Sequence, residues 1–165
     1  MSRHADSNAV PVHCLHKRRP CNKWFDQQAV RRANALCEAV FGLGVTRRYV
    51  RYLNIRFVLW TQSDDGETTG AVLVSREDKC SPTTYRMHAL VVSPEHRRRG
   101  IGTALVDKLE YKLPWGSTLW LCVDADQEDT ERLVDWYRGL GFDYADPKLA
   151  LPVRADEIAL VRIVG

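Results

Sequence analysis

Apolar residues recur at helical spacing over residues 24–41, where Phe25, Ala29, Ala33, Leu36 and Val40 fall on one face. Gly42 and Gly44 end that helix. The pattern then becomes β-rich over 55–61 and 69–75. Between these runs stands Ser63-Asp64-Asp65-Gly66, a turn signal, so the two runs form a hairpin. A third strand covers 84–92. It leads into a helix opening at Gly100, with Ile101, Ala104, Leu105, Lys108 and Leu109 on one face and Asp107 and Glu110 away from it. A strand at 118–123, a helix from 130 to 139 and strands at 142–145 and 158–164 follow. A first strand at 12–17 and a short helix at 46–53 complete the order β, α, α, β, β, β, α, β, α, β, β. Residues 1–10 are polar and predict a disordered tail ahead of one domain over 11–165.

The chain has 165 residues, enough for a sizeable core within one domain. A net charge of +3 is too small to imply nucleic acid. The basic runs Lys17-Arg18-Arg19 and Arg47-Arg48 therefore read as solvated surface. Five scattered cysteines show no framework spacing, which predicts free thiols in a reducing compartment. Cys14 and Cys21 with His13 and His16 match no standard zinc spacing, so no metal is expected. No apolar run would span a bilayer and no hydrophobic segment opens the chain. The expectation is a cytoplasmic protein, with the nucleus left open, and no membrane or nucleic-acid partner. A monomer and a homodimer fit equally well.

One loop stands out. Leu90-Val91-Val92 ends a strand, Arg97, Arg98 and Arg99 follow, and Gly100-Ile101-Gly102-Thr103 opens a helix. The first N–H groups of a helix lack internal partners, and aligned peptide dipoles add positive potential there. Such a loop predicts a phosphate or pyrophosphate site. The P-loop pattern is absent, and Leu105 breaks the dinucleotide fingerprint.

Arg97-x-x-Gly100-x-Gly102 after Leu90-Val91-Val92 resembles the acetyl-CoA signature of the GCN5-related N-acetyltransferases (GNAT). The helix ending Tyr137-x-x-x-Gly141-Phe142 is similar to a second segment of that family, in the same order. The resemblance implies an α/β fold in which about four helices flank a mixed, mostly antiparallel sheet of six to seven strands. It implies acetyl-CoA as cofactor and transfer of acetyl to a primary amine. In this reading the Leu90 N–H meets the acetyl oxygen, Val91 and Val92 carry the pantetheine arm, and the amides from Arg98 to Thr103 hold the pyrophosphate. Arg97, Tyr137 and Arg138 complete the expected cofactor contacts.

Direct transfer needs a base for the amine and an acid for the leaving thiolate. His88 is the candidate base. An unperturbed imidazole titrates near ~6.5, and strand periodicity puts His88 in phase with Leu90. The order His88-Ala89-Leu90-Val91-Val92 resembles the arylalkylamine N-acetyltransferase branch, which often has a second histidine where this chain has Arg86. A carboxylate of the acidic loop 124–129 is the other candidate base. Tyr137, a phenol with an ordinary pKa of about 10, is the candidate acid. Thr130 stands where the family often has Asn. A small arylalkylamine or polyamine is the leading acceptor, ahead of a protein lysine, an α-amino group or an amino sugar. A non-catalytic acyl-CoA-binding domain is the alternative outside enzymes.

Overall fold

The structure is a computed structural model that describes residues 10–16, 27–42, 55–77, 81 and 83–165. Seven strands form one sheet: β1 (Val12–His16), β2 (Ile55–Gln62), β3 (Thr68–Arg76), β4 (Thr84–Val92), β5 (Thr118–Asp124), β6 (Asp143–Tyr144) and β7 (Glu157–Ile163). Their order across the sheet is β1-β2-β3-β4-β5-β7-β6. Every neighbouring pair is antiparallel except β4 and β5. The described helices are α1 (Gln27–Phe41), α2 (Ile101–Lys112) and α3 (Thr130–Gly139). The expected helix at 46–53 and most of the expected tail at 1–10 lie outside the described residues.

The sheet is sandwiched. On one face α2 and α3 cover Phe57, Leu59, Val72, Val74, Tyr85, Met87, Leu119, Leu121 and Leu160. On the other, α1 brings Ala33 and Cys37 against Ile55, Val58, Ala71, Leu73 and Val91. With helices on both sides, β3 is buried continuously from Thr69 to Ser75, which is why its sequence reads as an unbroken small and apolar run. The hairpin closes through Ser63–Gly66, with the Gly66 N–H bonded to the Ser63 carbonyl at 2.9 Å.

The amphipathic reading of α2 needs correction at three positions. Its buried residues are Ile101, Leu105, Val106 and Leu109. Val106 joins the core, whereas Lys108 lies 5.7 Å over the Tyr111 ring at the surface. Glu110 is turned inward to accept two 2.7 Å hydrogen bonds from Arg162 of β7. Arg162 also donates to the Leu140 carbonyl, tying α2 to the end of α3.

Two local features place the site. β4 and β5 pair only from Thr84/Thr118 to Arg86/Trp120. Beyond that point β5 follows β7 as far as Asp124, while β4 stays with β3. A wedge opens between the two parallel strands. The second feature is a β-bulge at His88: Ala89 faces Leu73 and Met87 faces Val74, so His88 is the extra residue. Tyr85 and Met87 pack under α2 and α3, but beyond the bulge Leu90 and Val92 do so, while Ala89 and Val91 join the α1 face.

Candidate active site

The wedge exposes main-chain groups. The Ser93 N–H bonds the Thr69 carbonyl of β3 at 2.9 Å. By strand alternation the Val91 amide also faces β3, and those of Leu90 and Val92 face the opening. The Val92 carbonyl accordingly accepts Arg97 Nε at 3.4 Å from the open side. Leu90 and Val92 thus keep the orientation expected of a pantetheine track. Val91 does not: its main chain is turned to β3 and its side chain is buried under α1.

The basic loop ends the same strand. Arg98 has φ 60° and Gly100 φ 76°, so the chain curls twice into the left-handed region just ahead of α2. Gly100 caps the helix, and a Cβ there would meet nothing within 4 Å. Glycine at this position serves the backbone angle alone. Gly102 serves close approach: a Cβ would lie 3.2 Å from the Trp136 ring of α3. Arg97, Arg98 and Arg99 are exposed around these amides, and Thr103 is half-buried. The Ile101 side chain is core, so only its amide can serve an anion. Arg138 is not brought to the loop. It lies 5.7 Å over the Tyr144 ring and 4.0 Å from Asp143, at the far edge of the sheet.

Tyr137 belongs to the α2–α3 face, with ring centroids 4.8 Å from Trp136 and 5.5 Å from Phe142. Its ring is buried with Thr130 and Val134 along one side of α3. Burial pushes the phenol pKa up, so the group holds its proton at neutral pH. Thr130, in the place of the family's frequent Asn, fastens the helix to the sheet: its hydroxyl lies 2.7 Å from the Asp124 carbonyl and 2.8 Å from that of Gln127.

His88 departs from its expected position. The bulge turns it out of phase with Leu90, onto the α1 face. There Nε2 lies 2.7 Å from Ser75 Oγ, which in turn donates to Glu77 at 3.0 Å. Burial, helped by the neighbouring Arg86 cation, pushes the imidazole from 6.5 down to about 3. The ring is therefore neutral at physiological pH, but it is a weaker base than an ordinary histidine. In the acidic loop, Asp124 accepts the Asp126 amide and Asp129 pairs with Arg132 at 2.8 Å. Asp124 ends β5 on the side of Trp120 and Cys122, so the loop does bring one carboxylate to the α1 face.

The side chains of Leu90, Val92 and Tyr137 lie on the α2–α3 face of the sheet, and those of His88, Ser75 and Arg86 on the other.

Comparison with known proteins identifies the family and the fold. Residues 28–142 match the model of the acetyltransferase (GNAT) family. The chain belongs to that family, whose cofactor is acetyl-CoA. Its fold is similar to that of ribosomal-protein-S18-alanine N-acetyltransferase from Escherichia coli, with TM-score 0.63 and 16% identity over 94% of this chain and 95% of that one. It is also similar to a GNAT-family acetyltransferase from Bacillus cereus, with TM-score 0.63 and 14% identity over 93% and 97%. A third likeness is to an aminoglycoside 6'-N-acetyltransferase complexed with coenzyme A, with TM-score 0.59 and 15% identity over 93% and 97%. No curated protein matches the chain in sequence. No described helix is long and apolar enough to cross a membrane.

Proposed function

We infer that the protein transfers acetyl from acetyl-CoA to the primary amine of a small molecule, directly and without an acyl-enzyme. The observation that carries the reading is the wedge between β4 and β5, with main-chain donors and Tyr137 on one face and His88 on the other. Acetyl-CoA supplies the activated thioester. The amides from Arg98 to Thr103, in the loop and the first turn of α2, and the arginines beside them bind its pyrophosphate. Val92 offers its N–H and C=O to the pantetheine amides. The Leu90 N–H is fixed in the sheet and aimed into the opening, so it can meet negative charge developing on the acetyl oxygen without reorganising.

Proton movements fall on opposite faces. His88, uncharged at neutral pH, takes the amine proton on the α1 face, directly or through water, and the Ser75–Glu77 chain holds the ring. The low basicity of His88 suits a relay rather than a resting proton store, and Asp124 is the rival base. Tyr137 stays protonated because it is buried and gives its proton to the departing thiolate on the α2–α3 face.

The test is an acetyl-CoA turnover screen over small amines, amino sugars and lysine- or α-amine-bearing peptides. Release of free thiol with a matching acetylated small amine is the expected result. Transfer to peptides alone would move the acceptor to proteins. Tight acetyl-CoA binding by calorimetry with no transfer to any amine would make the protein a non-catalytic acyl-CoA-binding domain.

A further inference from the structure

We propose that Arg86 forms an anion-binding subsite on the acceptor face, so that the acceptor is an amine carrying a carboxylate several ångströms from its nitrogen. The proposal rests on the acetyltransferase reading and names the substrate class of that same site.

The observation is a guanidinium with no carboxylate partner among the described residues. The Arg86 guanidinium carbon lies over the Trp120 ring, 4.5 Å from its centroid, across the last paired position of β4 and β5. Arg86 Nε is buried and has no hydrogen-bond partner. Among the described residues no carboxylate forms an ion pair with Arg86. Glu157, which reaches Cys122 from the next strand, is held instead by Arg154, 3.5 Å away. A guanidinium keeps its charge throughout the physiological range. Arg86 as a whole is half-buried, but its Nε is shut off from solvent without a hydrogen bond, a desolvation cost that a bound anion would offset. Contact with an indole ring offsets only part of that cost.

The location gives the cation a use. Arg86 stands two residues before the bulged His88, and both lie on the face opposite Tyr137. The acceptor must approach from this face. Trp120 is fully buried, so it forms a rigid backing that presents the planar guanidinium in one orientation. Such a fork pairs with a carboxylate through two parallel hydrogen bonds. Arg86 and Leu90 pair with Ser75 and Val72 of β3, three steps apart, so the bulged stretch between them spans roughly 10 Å. Allowing for the reach of the arginine side chain, a carboxylate held by Arg86 lies well away from a nitrogen attacking beside Leu90. This spacing favours ω-amino acids over α-amino acids. It disfavours polyamines, whose second cation would meet the guanidinium.

The experiment compares 4-aminobutyrate and 6-aminohexanoate with their amides and with alkylamines of matched length. The expected result is a kcat/KM for the acids at least about ten-fold above that of the amides, the scale of one charge-assisted hydrogen bond. Arg86→Gln should abolish the acid-to-amide ratio, and Arg86→Lys should keep part of it. A second measurement needs no turnover: butyrate, a carboxylate without an amine, should alter Trp120 emission in the acetyl-CoA-bound protein. That change should vanish in Arg86→Gln and in Trp120→Phe. Equal rates for acids and amides in the unaltered protein would overturn the proposal, as would an emission spectrum indifferent to butyrate. Absence of transfer to every amine, with the butyrate response intact, would overturn the acetyltransferase reading and leave the Arg86 subsite standing.

Discussion

Gly100 offers the sharpest test of where the cofactor's pyrophosphate lies. Its φ of 76° is in the left-handed region, and a Cβ would touch nothing. Gly100→Ala therefore adds no collision and only strains the backbone, by about 1–2 kcal/mol. If the exposed loop relaxes to escape that strain, the amides lose their common aim and binding must restore it. The dissociation constant for acetyl-CoA should then rise about five- to thirty-fold. Gly100→Asn should cost less, since Asn enters this region more readily. Gly100→Asp adds a negative charge beside the phosphates, worth about 1 kcal/mol for each unit charge at close range in water. Isothermal titration of the three variants should rank affinity as Asn above Ala above Asp, with thermal midpoints reporting any strain the fold retains. Wild-type affinity in Gly100→Asp would refute the pyrophosphate assignment.

The other predictions concern the proton path and the framework. Tyr137→Phe keeps the buried ring and should lower turnover by roughly ten- to a thousand-fold with little change in acetyl-CoA affinity; near-normal turnover would leave Tyr137 as packing. His88, with its pKa lowered to about 3, is neutral when folded while the unfolded imidazole protonates below about 6.5. Its contribution to stability is therefore complete above pH 6.5 and is lost as pH falls from there toward 3, so the acid-side drop in melting temperature should flatten in His88→Gln. The same shift puts any activity limb due to His88 far below neutrality, and a limb near pH 6 that survives His88→Gln would report another base. Gly70→Ala should lower the melting temperature, because a Cβ would come 2.6 Å from Ile101 at the first residue of α2; an unchanged melting temperature would mean that α2 can shift freely on the sheet.

The parts legible in the sequence are those where one local rule acted alone. The bounds of β4 and α3 agree with the pattern, because β4 is a run of strand formers and Thr130, Val134 and Tyr137 recur along one helical face. The basic glycine loop was equally legible, since its spacing is itself the local structure. Three features were not. The Arg162–Glu110 pair joins residues 52 apart, and a charged residue carries no sign of a distant partner. Arg138 looked like a cofactor contact through its place beside Tyr137, but neighbouring positions on a helix point in different directions. The bulge at His88 left no mark in the residue types, and counting by twos along β4 placed His88 on the wrong face.

That inserted residue works as a parity switch. Before His88, odd-numbered residues of β4 face α2 and α3; after it, even-numbered residues do. In the proposed transfer the two reagents approach β4 from opposite sides, and the switch would let neighbouring stretches of the strand serve them separately. Deleting His88 would restore regular alternation and leave every other residue of β4 on its present face, whereas straightening the bulge with the residue retained would move one end of the strand onto the opposite face and exchange what lines each side. A one-residue slip in a regularly paired stretch of β4 would turn the side chains beyond it to the opposite face.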